Sequence, residues 1–200
     1  MIAIIDYGMG NLYSVEKAFA KLGAEVVVTS DADVIQKAAK VVLPGVGAFG
    51  DCMKNLTDSG LIPVIHAVID QGTPFLGICL GLQCLFEGSE EDPGVKGLGV
   101  FAGQVKKIIA PSYKIPHMGW NSLAFKNSSP LFAGLAPADY VYFVHSYHAV
   151  PDQEEIVTAV TDYGGPVTAA VGRGHVQAVQ FHPEKSSRVG MEILANFVKL

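Results

Sequence analysis

No run of basic residues interrupts this sequence, and no apolar stretch in it is long enough to span a bilayer. The first absence, with a net charge of −5, removes the electrostatic footprint of nucleic-acid binding and of attachment to an anionic membrane. The second includes Met1-Ile2-Ala3-Ile4-Ile5, which meets Asp6 at once and is too short for a signal peptide or a span. Cysteine is scarce. Cys52, Cys79 and Cys84 are odd in number and offer no disulfide framework, which fits a reducing cytosol and a cytoplasmic protein. Cys79 and Cys84 match neither C-x-x-C redox spacing nor a zinc site, and His117, His145 and His148 lack a supporting carboxylate pattern, so no metal is expected. No repeat, low-complexity segment or linker divides the chain. Residues 1–200 therefore read as a single domain, and 50% hydrophobic composition supplies a sizeable core.

What is present is strand–helix alternation. Ile2 to Ile5, Glu25 to Thr29, Val41 to Leu43 and Thr73 to Ile78 read as buried strands. Between them, Leu12, Val15, Phe19 and Leu22 recur at helical spacing, as do Ile62, Ile65 and Ile69 behind Pro63. This order implies parallel strands with right-handed crossovers and helices on both faces, a three-layer α/β/α fold. After Gly97 the runs Gln104 to Ile109, Asp139 to Val144, Glu155 to Val160, Val167 to Val171 and Val176 to Phe181 come without long helices, and add antiparallel strands. Val189, Ile193, Phe197 and Leu200 line a closing helix, with Ser186 or Ser187 as its cap. Glu87 to Asp92 reads as an acidic, solvated loop. Ligands of such sheets bind beyond the carboxyl ends of the strands. Gly8-Met9-Gly10, Pro44-Gly45-Val46-Gly47 and Cys79 all fall there. Gly8-Met9-Gly10 lacks a third glycine and a closing acid, so a tight turn is expected and no nucleotide cofactor.

Two stretches carry chemistry. Gly77-Ile78-Cys79-Leu80-Gly81 stands between a strand and a helical run, the layout of a nucleophile elbow. Such a turn lifts the sulfur out of the core and sets it at a helix N-terminus, which favours thiolate. A structural cysteine between two packing glycines fits the pentapeptide equally well. Downstream lies Gln180-Phe181-His182-Pro183-Glu184. An imidazole can take a thiol proton, and a carboxylate can orient that imidazole. In an extended stretch, held out of a helix by Pro183, His182 and Glu184 share a face.

Gly77-Ile78-Cys79-Leu80-Gly81-Leu82-Gln83 together with Phe181-His182-Pro183-Glu184 resembles the class I (triad) glutamine amidotransferases. The resemblance implies a flavodoxin-like domain in which Cys79, His182 and Glu184 hydrolyse the side-chain amide of L-glutamine. It also implies an oxyanion hole at Val46, Gly47 and Leu80, and contacts to glutamine from Gln83, Ser146 and Tyr147. Asp6 to Leu12, Pro44 to Phe49, Pro116 to Asn121, Tyr142 to Tyr147 and Pro183 to Ser186 stand in the order found in one branch of that family. In that branch the glutaminase passes ammonia to a (β/α)₈ barrel cyclase subunit in histidine biosynthesis. By this likeness a heterodimer is expected, with His117, Met118, Trp120 and Asn121 at the partner interface. Trp120, the single tryptophan, fits either an interface anchor or a core residue. Three rivals stand beside this reading. They are a cysteine hydrolase of the α/β-hydrolase type, the glutaminase of a pyridoxal phosphate synthase, and a non-catalytic module that kept the fold. The first orders its triad nucleophile, acid, histidine, whereas here histidine precedes acid.

Overall fold

The computed structural model describes residues 1–200. The first half is the expected alternation: β1 (Ile2–Ile5), α1 (Leu12–Lys21), β2 (Val26–Thr29), α2 (Ala32–Gln36), β3 (Lys40–Gly45), α3 (Phe49–Asp58), α4 (Ile62–Asp70), β4 (Phe75–Cys79) and α5 (Leu80–Cys84). Short strands dominate the second half: β5 (Gly88–Ser89), β6 (Gly103–Lys107), β7 (His117–Ser122), β8 (Ala124–Phe125), β9 (Tyr140–His145), β10 (Tyr147–Pro151), β11 (Val157–Asp162), β12 (Pro166–Arg173) and β13 (Val176–Val179). Helix α6 (Ser187–Lys199) closes the chain. No helix is long and apolar enough to cross a membrane.

The central sheet has eight strands in the order β2-β1-β3-β4-β13-β12-β11-β8. Strands β2, β1, β3, β4 and β13 run parallel, and β12, β11 and β8 extend the sheet antiparallel. Smaller sheets, β10-β6-β5 and β7-β9, lie outside it. The central parallel strands β1, β3, β4 and β13 are buried on both faces, as continuous apolar runs require, while β2 at the edge is only partly buried. Along β1, Ala3 and Ile5 enter one core, with Phe49, Ile65, Leu82 and Phe86 from α3, α4 and the α5 region. Ile2 and Ile4 enter the other, with Phe19 of α1 and Ile193 and Phe197 of α6. Those two cores are the interfaces of the three layers. Phe19 meets Phe197 at 6.1 Å between ring centroids, which ties α1 to α6. Burying each such ring stabilises the fold by roughly 1.5–3 kcal/mol.

Strand β7, which holds the candidate interface residues, pairs along its whole length with β9, His117 opposite His145 and Trp120 opposite Tyr142. Three local expectations change. The acidic stretch is not simply solvated. Glu91 and Asp92 accept the Phe49 and Gly50 N–H groups at 2.9 and 2.7 Å, satisfying orphan donors at the start of α3. Glu87 and Glu90 accept from Gly103 and Lys107. Ser186 does hold the cap position of α6, but its hydroxyl makes no cap bond. It donates instead to the His182 carbonyl at 2.6 Å and accepts the Tyr142 N–H at 2.9 Å. The segment after His182 is not extended: Pro183–Lys185 is one 3₁₀ turn, with proline at its start, where its missing N–H costs nothing.

Candidate active site

Strand β4 ends at Cys79, whose backbone turns through φ 55°, a left-handed conformation rare for a side-chain-bearing residue. Strain of this kind persists where the surroundings enforce it. Here they are close-packed. A Cβ on Gly81 would sit 1.9 Å from the Leu43 carbonyl oxygen, so only glycine lets α5 settle against β3. A Cβ on Gly45 would meet Tyr7 Oη at 2.6 Å and Leu80 Cβ at 3.0 Å. The glycine at 45 is thus needed for close approach beside the elbow, more than for loop freedom. Helix α5 is only five residues long. It offers Cys79 the free N–H groups of its first turn and little of a macrodipole.

His182 and Glu184 reach the same end of the sheet because β13 is the parallel neighbour of β4, with Val179 opposite Ile78. The 3₁₀ turn folds Glu184 back so that His182 Nδ1 and Glu184 Oε1 are 2.8 Å apart. Both side chains are almost fully enclosed. Burial works against charge on the imidazole. The Cys79 sulfur and the Glu184 carboxylate outweigh it and push His182 up to about 10. With Nδ1 held by Glu184, Nε2 has no partner in the protein and remains for the thiol and for substrate. The His182 N–H donates to the Tyr142 carbonyl at 2.9 Å. Both ends of the 182–186 turn are therefore fastened to the backbone of Tyr142.

A cleft of about 280 Å³ opens here. Cys79, His182, Val46, Gly47, Leu80, Gln83, Ser146 and Tyr147 all line it, so nearly every residue that the sequence motifs nominate falls in one cavity. Glu184 stands behind His182. Pro116, Val144, His145 and Glu91 complete the wall. Of these, Glu91 lies in none of the nominated motifs. Glu91 enters from the acidic loop through its bond to Phe49, and only the fold brings it there.

Gln83 is fixed from within the protein. Its amide nitrogen donates to the Tyr147 carbonyl at 3.0 Å and to Gln180 Oε1 at 3.1 Å. Burial holds His145 down to about 3 and His117 down to about 4, so both rings are neutral. Carbonyls only accept, which sets the proton positions. His145 Nδ1–H donates to Tyr147 O at 2.8 Å, His117 Nδ1–H to His145 Nε2 at 2.9 Å, and Asn121 Nδ2–H to His117 Nε2 at 3.2 Å. His148 accepts the Thr168 N–H.

The four candidate interface residues divide. His117 is buried at 2% exposure and stacks on Tyr163, so its side chain is not on the surface, and Asn121 turns inward to His117 and the Asp162 carbonyl. Met118 and Trp120 are exposed at 60% and 50%. Trp120 is therefore no core residue; it rests edge-on against Tyr142. The two remaining cysteines, unremarkable by spacing, touch at 2.9 Å between α3 and the end of α5 as free thiols.

A thiol on a strained strand-to-helix turn, a buried imidazole and a carboxylate at the carboxyl edge of an α/β sheet define a triad amidotransferase. The chain belongs to the glutamine amidotransferase class-I family, whose model matches residues 3–200. Within that family it is similar along its length to proteins named imidazole glycerol phosphate synthase subunit HisH. The relative from Moorella thermoacetica is 53% identical, covering 100% of this chain and 94% of its own. That from Bacillus cereus strain G9842 is 54% identical, covering 98% and 93%. Among solved structures, a glutamine amidotransferase shares the fold with a TM-score of 0.78 at 18% identity, covering 100% of this chain and 98% of that one. PurLQS from Thermotoga maritima does so with a TM-score of 0.72 at 18% identity, covering 99% and 97%. Family membership sets aside the α/β-hydrolase reading.

Proposed function

We propose that this chain is the glutaminase subunit of an imidazole glycerol phosphate synthase. The observation that carries the chemistry is the convergence of Cys79, the His182–Glu184 pair and Gln83 on one cleft. The full-length likeness to the HisH proteins carries the choice within the family. Cys79 Sγ, its proton already passed to His182 Nε2, attacks the side-chain amide carbon of L-glutamine. Charge gathers on the amide oxygen, facing N–H groups of Leu80 and of the Val46-Gly47 segment. His182 returns the proton to nitrogen as the C–N bond breaks, releasing ammonia and leaving a glutamyl thioester on Cys79. Water, deprotonated by His182, attacks the thioester; glutamate leaves and the sulfur is restored. Glu184 holds the imidazole in orientation and balances its charge. Ser146 and Tyr147, on the cleft wall, hold the amino-acid end of glutamine with Gln83. Ammonia passes to a (β/α)₈ barrel cyclase subunit docked over Met118 and Trp120. There it is used to make imidazole glycerol phosphate and an aminoimidazole carboxamide ribotide.

The test uses the complex with that cyclase. Cys79→Ser keeps the shape of the site and removes the good nucleophile. Glutamine-dependent synthesis collapses, while synthesis from added ammonia persists. A parallel loss of both activities would refute the assignment of Cys79 to amide hydrolysis.

A further inference from the structure

Gln180 takes no part in the amide hydrolysis as derived from the triad, yet it touches the reacting atom. It lies one residue beyond β13, whose Val179 pairs with Ile78, so it stands beside Cys79 on the adjacent strand. It is 0% exposed. Its amide nitrogen points to Cys79 Sγ at 3.8 Å, and its amide oxygen accepts from Gln83 at 3.1 Å. Its own backbone N–H is held by the Ala169 carbonyl at 2.8 Å.

We infer that Gln180 is a further catalytic residue, an N–H donor to the Cys79 sulfur that stabilises negative charge on it. The inference rests on the glutaminase reading for its kinetic consequence, but not for its physical basis. A neutral thiol is a poor acceptor, and a thiolate is a good one. A donor fixed against the sulfur therefore favours the charged form, by the asymmetry that makes charge-assisted hydrogen bonds the strong ones. The sulfur is charged at two moments: before it attacks, and when it is expelled from the deacylation intermediate. Gln180 serves both.

The orientation of this amide is imposed. A free carboxamide can turn over and present oxygen to the sulfur, which would repel the thiolate. Here Gln83 gives one amide hydrogen to Tyr147 O and the other to Gln180 Oε1, which fixes the oxygen end of Gln180 and leaves its nitrogen for Cys79. Gln83 is anchored in turn at a carbonyl that also receives the His145 Nδ1–H. Donation runs from Asn121 through His117 and His145 to the Tyr147 carbonyl, which also accepts from Gln83, and from Gln83 through Gln180 to the nucleophile. A residue that faces glutamine thus also sets the donor beneath the sulfur.

The experiment reads the sulfur without glutamine. Alkylation of Cys79 by iodoacetamide is followed by mass spectrometry across pH 5–9 in the wild-type chain, Gln180→Leu and Gln180→Glu. Cys52 and Cys84 are 0% exposed and are read separately as their own peptides. Gln180→Leu is expected to slow Cys79 alkylation at pH 7 about tenfold and to move the profile to higher pH. Gln180→Glu, the same shape with a charge, is expected to slow it further. Glutaminase kcat falls in the same order. Should Gln180→Leu fail to fold, by circular dichroism, the isosteric Gln180→Glu decides alone. Alkylation rates and profiles that match the wild type in a folded variant would overturn the inference. Absence of glutaminase activity in the wild-type complex would overturn the functional reading and leave the alkylation result standing.

Discussion

Ser186→Ala removes one oxygen and disturbs two bonds that hold His182, the histidine of the proposed triad. The Ser186 hydroxyl donates to the His182 carbonyl at 2.6 Å and accepts the Tyr142 N–H at 2.9 Å, at a position with no exposure. Alanine leaves almost no cavity, so the loss is that of unsatisfied partners. Each orphaned buried group costs about 1–3 kcal/mol. The His182 carbonyl still accepts the Lys185 N–H at 3.0 Å, so the group left without a partner is the Tyr142 N–H, a cost of about 1–3 kcal/mol. For a chain of this size that lowers the melting temperature by roughly 2–12 °C. Activity suffers separately. The 182–186 turn stays tied to Tyr142 only by the His182 N–H, and Nε2 loses its aim at the sulfur. Misplacement by about 1 Å can cost on the order of a hundredfold in rate, so kcat is expected to fall about 10–100-fold. Ser186 does not line the cleft, and KM for glutamine changes little. Differential scanning fluorimetry and a glutaminase assay with the cyclase present measure both, with exposed Ser187→Ala as the control. A Ser186→Ala protein with unchanged melting temperature and unchanged kcat would refute the claim that this hydroxyl holds the histidine turn.

Trp120→Ala is expected to weaken association with the cyclase by about 2 kcal/mol or more, while the half-exposed ring leaves the melting temperature of the isolated chain nearly unchanged; calorimetry showing intact affinity would remove Trp120 from the interface. Gly81→Ala drives a Cβ to 1.9 Å from the Leu43 oxygen, so α5 must shift, and purified variant protein is expected to lose glutaminase activity with clear destabilisation; a fully active variant would show that α5 needs no such fit. His182 also makes stability depend on pH. Its pKa is raised from an ordinary 6.5 to about 10, so the folded chain holds a proton that the unfolded chain releases between those values. That contribution is fully present below about pH 6.5 and is lost as pH rises toward 10, at up to about 1.4 kcal/mol per unit. Urea titrations from pH 7 to 10 are expected to show that slope, and His182→Asn to flatten it; an equal slope in the variant would count against the charged pair.

The parallel half of the fold and the triad were legible because each depends on short-range patterns. Continuous apolar runs marked β1, β3 and β4, and glycine spacing around Cys79 marked the elbow. Cys79 and His182 could be brought together because both come after strands of one parallel sheet. The outer sheets were less legible. In β7, His117 to Asn121 mixes histidine, glycine and asparagine, and its strand character comes from pairing with β9 rather than from propensity. His117 reads as a polar surface residue until His145, Phe143 and Tyr163 enclose it. Ser186 was legible as a helix cap and Gln180 as part of the histidine stretch. The roles of Glu91, Ser186 and Gln180 were not, because they lie in bonds to Phe49, Tyr142 and Cys79, all distant in sequence.

The pairing of β4 with β13 has a consequence for how the chain comes to life. Cys79 and Gln180 are 101 residues apart in sequence, yet the site exists only where these two strands lie side by side. Everything between them, from α5 to β12, is a single excursion that the pairing of β13 between β4 and β12 closes. Closing so long a loop is entropically unfavourable, and contacts of this separation form late. Serine turn, imidazole and thiol therefore assemble together, as one of the last events of folding. A partly synthesised or partly folded chain holds an inert cysteine, and the return of glutaminase activity during refolding is a clock for the docking of the final parallel strand.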